Sequence, residues 1–427
     1  MGRFGAGQPA RRSEDFRFLT GTGRYTDDIR LAGQTCGYVV RSPHAHARIL
    51  AIESEAARAA PGIIALFTAA DLAAEGVNTL PVVARVRNRD GSRMVVPPRQ
   101  VLASERVRHV GEAVAFIVAE TIGQAKDAAD LLIIDYDPLP AVADPVAALR
   151  PDAPCLWDFI PGNQCFDWET GDSAATEAAF ARAAHVAGLD LVNNRLAPTP
   201  LEARGALGHV DETGRLVLTT GSQGSHQLQE WLCDQVFRIP RQSLRVICPD
   251  VGGGFGLRLF LFPEHVLVLF AARRLGRPVK WIADRSEAFL ADSHGRGHVS
   301  HAELALDRDG RFLAIRVETV ADLGACLSQY AAFIPTGGGS AMLVGAYTFE
   351  AAHVRVRGAM TNTAPVDAYR GAGRPEAAYL LERLIDVAAR EMGLAPDGIR
   401  RRNFIPPQAM PYRTALGLAY DSGEFLR

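Results

Sequence analysis

Residues 110–136 read VGEAVAFIVAETIGQAKDAADLLIIDY, a run that carries both secondary-structure periods side by side. The stretch 110–119 is a continuous apolar segment of strand length, 121–132 (TIGQAKDAADLL) has helical spacing, and 132–136 returns to strand before Pro138 and Pro140 close it. The pattern predicts a small α+β unit over 21–145, preceded by an irregular arm at 1–20. Beyond it, LPAVADPVAALRPDAP is rich in Pro, Ala and Asp and predicts a linker at 146–165.

The remaining unit, 166–427, mixes both element types. Strands are predicted at 216–220, 244–248, 279–283, 302–306, 312–320 and 351–356, the fourth and fifth joined by the turn Asp307-Arg308-Asp309-Gly310. Helices are predicted at 227–237, 264–275 and 375–392. In the last, Ala378, Leu381, Leu384, Ile385, Ala388 and Met392 keep the three–four spacing, Pro375 opens the first turn and Gly393 stops it. No internal repeat or low-complexity tract is present.

The chain has 427 residues, 48% hydrophobic and 22% charged, which are globular proportions that exclude a disordered or collagen-like polymer. A formal net charge of −2 gives no basic field for nucleic acid or an anionic membrane and favours a small or neutral substrate. The longest apolar stretch, 259–272, is interrupted by Pro263, Glu264 and His265 and falls short of the roughly 20 residues of a span. Arg11-Arg12 is not followed by the apolar run of an export leader, so a cytoplasmic location is expected. Six cysteines lie scattered without a CxxC pair; they are expected to be buried, reduced thiols, with no local zinc or iron–sulfur site.

Three segments could carry chemistry. Pro249-Asp250-Val251-Gly252-Gly253-Gly254-Phe255-Gly256 leaves a predicted strand, and its bare amides could approach an anionic or planar group while the phenyl ring covers it. A tight strand-to-helix turn is the equal alternative; a dinucleotide fingerprint fails because Leu257 stands where it needs glycine. Asp367-Ala368-Tyr369-Arg370-Gly371-Ala372-Gly373-Arg374-Pro375-Glu376 enters a helix, where two arginines and free amides suit a phosphate or oxo-anion. The alternative is a surface loop whose arginines are solvated or pair with Asp367 and Glu376. In Thr219-Thr220-Gly221-Ser222-Gln223-Gly224-Ser225-His226, a buried Gln223 could both donate and accept, although an ordinary polar loop reads as well. His44 and His46, placed on one face of a strand, and the cluster His294, His298 and His301 lack a carboxylate or cysteine at ligand spacing, so structural roles are expected.

Taken together, RRSEDFRFLTGTGRYTDDI, YVVRSPHAHARI, VGEAVAFIVAET, DYDPLPAVAD, PDVGGGFG, VDAYRGAGRPEA and RRNFIPPQAMPY occur in one order across nearly the whole chain. In that order they resemble the molybdenum-cofactor large subunit of the xanthine dehydrogenase, aldehyde oxidase and carbon monoxide dehydrogenase family. The resemblance implies an α/β hammerhead domain followed by the first of two molybdopterin-binding domains. It implies a molybdopterin, in bacteria commonly the cytosine dinucleotide form, whose metal takes no direct protein ligand. Gln223 would stand near an oxo ligand, and Gly253, Gly254, Phe255 and Gly256 would line the cofactor. Arg370, Gly371 and Ala372 would face cofactor and substrate. The implied chemistry is hydroxylation of a carbon with water-derived oxygen, a glutamate serving as base. Electrons would leave through 2Fe-2S centres to FAD, which have no motif here and are expected on partner subunits.

Three departures refine this expectation. The second molybdopterin domain and its base glutamate have no counterpart, so no catalytic acid or base is assigned within the chain, and Glu264 matches a structural-looking position. That pattern fits a split large subunit with its other half on a second chain; the alternative is a truncated, inactive cofactor-binding remnant. Leu259 stands where xanthine-type members carry a carboxylate, and Gly371 where copper–molybdenum oxidisers of carbon monoxide carry cysteine. With Leu259 and Ala372 in the substrate pocket, aldehydes or neutral N-heterocycles are expected.

Overall fold

Seven consecutive buried side chains make Ala113–Ala119 an interior strand in the computed structural model, which describes residues 11–426. It pairs antiparallel with Thr35–Arg41 on one side and Ile63–Thr68 on the other. The predicted helix follows as Ile122–Asp130, opened by a capping box in which Thr121 Oγ1 accepts from Gln124 N at 3.3 Å and Gln124 Oε1 from Thr121 N at 3.1 Å. Ile133–Pro138 returns as a strand in a separate three-stranded sheet with Ala47–Glu53 and Arg106–Val107. Of the expected N-terminal arm, 1–10 lies outside the described residues, while the rest contains the one-turn helix Asp15–Leu19.

The main sheet has seven strands drawn from both sides of 146–165. Its order is Leu244–Ile247, Leu216–Thr219, Gly205–Val210, Val279–Ile282, Thr35–Arg41, Ala113–Ala119, Ile63–Thr68. The junction is the parallel pairing of Thr35 with Val279 and Cys36 with Lys280. Residues 146–165 are packed rather than solvated: Leu156 and Ile160 are fully buried, and Asn163 Nδ2 donates to Ala148 O at 3.0 Å and Pro154 O at 2.8 Å.

A second sheet runs Gln164–Gly171, Ala351–Met360, Phe312–Gly324, His298–Leu306, His185–Asn193. Its predicted strands 302–306, 312–320 and 351–356 are all present and longer than expected, and the turn at Asp307 closes with Gly310 N donating to Asp307 O at 3.1 Å. The helix Arg374–Glu391 packs here through Ala377, Leu380, Leu381, Leu384, Ile385 and Ala388. The expected stripe is corrected at its start: Ala378 is exposed, because a step of about 100° separates it from the buried Ala377. The helix expected at 227–237 divides into Ser225–Glu230 and a wider π-helical stretch, Trp231–Phe237.

The helix Pro263–Leu275 buries nine successive residues from Glu264 to Ala272, so it is a core helix of the main sheet. Glu264, 1% exposed, is held by two guanidinium groups: Arg41 Nη2 at 2.6 Å and Arg204 Nη1 at 2.8 Å. Arg204 is itself 2% exposed, pairs with Asp292 and stacks 3.7 Å from the Phe262 ring centroid. Burial alone would push the Glu264 carboxyl up; Arg204 and Arg41 outweigh it and hold it well below the usual carboxylate range. Removing one member strands a buried charge. Arg204→Met should therefore lower the unfolding free energy by about 3–5 kcal/mol in urea titrations of the full chain. A loss under about 1 kcal/mol would show that the cluster is dispensable.

Candidate functional site

The glycine-rich loop follows the strand Leu244–Ile247 at the edge of the main sheet. Gly253 and Gly256 adopt φ of 108° and 98°, left-handed conformations that side chains resist. Close approach adds a second constraint, since a Cβ on Gly252 would lie 2.4 Å from Glu202 Cβ and one on Gly256 2.3 Å from Ala368 O. Glu202 Oε2 accepts from Gly252 N at 2.8 Å, and the buried Arg258 donates to Glu202 O at 2.7 Å, Ala203 O at 3.0 Å and Gly253 O at 3.4 Å. The N-terminal helix clamps the loop from outside: Arg17 pairs with Asp250, whose Oδ2 also accepts from Arg24 N at 2.6 Å. Hydrogen bonding to Arg17 holds the Asp250 carboxyl below its ordinary range.

Gln223 joins this loop through its Oε1, which accepts from Gly256 N at 2.9 Å. It is exposed, which corrects the expectation that it is buried. Its Nε2 donor, and the amides of Gly254 and Phe255, meet no acceptor among the described residues. The Phe255 ring is 39% exposed.

The segment 367–376 docks on the glycine-rich loop: Arg370 N donates to Phe255 O at 2.9 Å, and the Arg370 guanidinium lies 5.6 Å from the Phe255 ring centroid. Gly371, Ala372 and Gly373 are consecutive left-handed residues, with φ of 102°, 47° and 91°. For Ala372 that conformation costs about 1 kcal/mol, which the surrounding contacts must offset. Arg296 supplies some of them, donating to Tyr369 O at 3.0 Å and Arg370 O at 2.9 Å while pairing with Glu376 at 3.0 Å. The alternative pairing of Arg370 or Arg374 with Asp367 or Glu376 does not occur. Asp367 accepts from Tyr330 N at 3.0 Å and Ala368 N at 2.7 Å, and Arg374 Nη1 donates to Ala372 O at 3.0 Å. Leu259 and Ala368 pack beside the loops against Leu257, Phe260 and Phe262.

All three segments thus meet at one open cradle of backbone amides, an amide side chain and a guanidinium. A sequence model described as "Molybdopterin cofactor-binding domain" matches residues 157–404, more than half of the chain. The chain belongs to the molybdenum hydroxylase large-subunit family. A second model, "Aldehyde oxidase and xanthine dehydrogenase, a/b hammerhead domain", matches residues 20–140. Among relatives, the carbon monoxide dehydrogenase large chain of Hydrogenophaga pseudoflava is 37% identical over 96% of this chain and 52% of its own length. The nicotine 6-hydroxylase large subunit of Paenarthrobacter nicotinovorans is 34% identical over 98% and 50%, respectively. Quinoline 2-oxidoreductase from Pseudomonas putida 86 superposes with a TM-score of 0.92 at 36% identity, covering 98% of this chain and 52% of that one. The chain spans about half the length of these hydroxylases.

The donor set fits the family's cofactor. Outward amides and Arg370 suit an anionic organic group, and among the described residues no cluster of three His, Cys, Asp or Glu could hold a metal by itself. The histidines serve elsewhere: His301 Nδ1 meets Asp190 at 2.7 Å, His294 Nδ1 meets Arg195 at 3.2 Å, and His46 Nδ1 meets Pro140 O at 2.8 Å. His44 and His46 precede the strand Ala47–Glu53 instead of lying on it. All six cysteines are unpaired, but only Cys165 and Cys233 are buried; Cys155 and Cys248 are exposed, against expectation.

Sequence reasoning missed Glu202, Arg258, Arg296 and Arg17. Only Arg258, two residues past the glycine loop, carried a local signal.

Two outcomes follow from this geometry. Gly256→Ala should destabilise the chain by about 1–3 kcal/mol in urea titrations, whereas Gly254→Ala, which meets only the Gln223 side chain, should cost clearly less. Asp367 is fully buried, and burial pushes its carboxyl up to about 6 despite hydrogen bonds from Ser328, Tyr330 N and Ala368 N. Because the folded state then binds the proton more tightly than the unfolded chain, stability should fall as pH rises from about 4 to about 6. Asp367→Asn should reduce that slope, by up to about 1.4 kcal/mol per pH unit.

Proposed function

We propose that 21–145 form the hammerhead domain and 166–427 the first molybdopterin-binding domain of a cytoplasmic molybdenum hydroxylase acting on an aldehyde or neutral N-heterocycle. The observation that carries this reading is the convergence of Gln223, the 252–256 loop and the 368–373 loop on one cradle, where Gln223 Nε2 and the Gly254 and Phe255 amides lack partners among the described residues. The absence of a membrane-crossing helix among the described residues agrees with it. A molybdopterin cytosine dinucleotide would supply the Lewis-acid and two-electron chemistry when bound. Gln223 Nε2 would donate to the reacting oxygen, the Gly254 and Phe255 amides would hold the cofactor's anionic edge, and Arg370 would add fixed positive charge. The Phe255 ring would exclude water above the reacting carbon.

Leu259 presents hydrocarbon where a purine-orienting acid would stand, and Gly371 offers no thiolate for copper. Both features support a neutral organic substrate over xanthine or carbon monoxide. The base glutamate is assigned to a second molybdopterin-binding domain, and the electrons to partner iron–sulfur and FAD subunits.

The test is native purification with elemental analysis, the masses of co-purifying chains, and dye reduction with aldehydes and N-heterocycles. The expected result is a molybdenum-containing complex that oxidises at least one such compound and not carbon monoxide. Gln223→Ala should keep the metal and lower kcat by about tenfold to a hundredfold. A metal-free chain without co-purifying partners would leave a non-catalytic remnant as the reading.

A further inference from the structure

We propose that the cleft between the end of the Thr35–Arg41 strand and the Pro263–Leu275 helix is a binding site for a small planar oxyanion of carboxylate type. Its lining includes no residue of the 252–256 or 368–373 loops, and it does not depend on the function proposed above. The cleft has a volume of about 40 Å³, and its lining carries three guanidinium groups, Arg41, Arg99 and Arg108, and two carboxylates, Glu112 and Glu264.

The three arginines are not equivalent. Arg41 is neutralised by Glu264 and Glu287 at 2.6 and 2.7 Å. Arg108 lies 3.5 Å over the Trp157 ring and donates to the carbonyls of Leu156 at 3.1 Å and Arg106 at 3.4 Å, without a carboxylate partner. Glu112 is turned to the backbone instead, its Oε2 accepting from Arg108 N at 2.5 Å.

Arg99 is the decisive group. It is 6% exposed, its Nη1 is buried without any hydrogen-bond partner, and its side chain makes no ion pair or hydrogen bond among the described residues. Its recorded ring contact is with Phe262, 5.8 Å from the centroid. The buried Asp367 carboxyl acts on this guanidinium through its charge without hydrogen-bonding to it, so the Nη1 donors stay unsatisfied, and a ring at that distance offsets little of the loss. Burial lowers the pKa of His109 beside it, and of the three lining guanidinium groups only Arg99 and Arg108 make no ion pair among the described residues. A planar fork with paired donors matches a planar oxyanion.

The test uses the full chain and sodium formate as probe, against sodium chloride at equal ionic strength. Formate should raise Tm saturably by about 2 °C or more over chloride. Arg99→Leu should abolish the rise, and the exposed Arg85→Leu should leave it intact. Wild-type crystals soaked in sodium formate should show planar density with an oxygen within about 3.5 Å of the Arg99 guanidinium that is missing from crystals soaked in sodium chloride. An equal effect of formate and chloride, a rise that survives Arg99→Leu, or one lost equally in Arg85→Leu would overturn the proposal. Should Arg99→Leu fail to fold, the crystal experiment decides, and absence of formate at Arg99 rejects the site.

Discussion

The carboxylate of Glu264, buried and shared between Arg41 and Arg204, is the constraint on which the other contacts depend. Arg41 ends a strand of the N-terminal unit, Glu264 opens the core helix, and Arg204 leads into the strand Gly205–Val210. One charge cluster therefore fixes three elements that meet in the seven-stranded sheet. It also reaches the site. Arg204 lies two residues from Glu202, which accepts from Gly252 N and is gripped by Arg258.

A common logic runs through the cradle. Buried guanidinium groups take up loop carbonyls from behind: Arg258 those of Glu202, Ala203 and Gly253, and Arg296 those of Tyr369 and Arg370. With carbonyls satisfied on the inner side, the amides of Gly254 and Phe255 are left for the outer side. A surface of unpartnered N–H groups attracts anions without needing a charged side chain at the point of contact. Glycine is required there for two reasons at once, at Gly256 a left-handed backbone and the approach of Ala368 O.

The same use of arginine explains why neither Arg370 nor Arg374 pairs with the acids next to them in sequence. Glu376 is taken by Arg296 and Asp367 by backbone amides, so the loop arginines keep their charge for the open face.

Much was legible in the sequence where the cause is local. The unbroken apolar run at 113–119, the capping pair Thr121 and Gln124, and the long helix opened by Pro375 follow from periodicity and end chemistry, and each is present. The glycine loop and the Arg370–Ala372 segment were legible as special turns for a similar reason: their backbone conformations restrict which residues can stand there. The order of motifs across the chain carried the family. The strands Gln164–Gly171 and His185–Asn193 were not legible, because QCFDWETG and HVAGLDLVN mix polar and apolar residues and hold as strands through pairing with Ala351–Met360 and His298–Leu306. Only the tertiary structure decided that Thr35–Arg41 pairs with Val279–Ile282, that Arg296 and Arg258 support the cradle, and that Arg99 is buried with its Nη1 lacking a hydrogen-bond partner. Periodicity and turn sterics act within a few residues and are written in the local sequence. The choice of partner for a buried charge or a sheet edge is a competition among groups hundreds of residues apart, and folding alone resolves it.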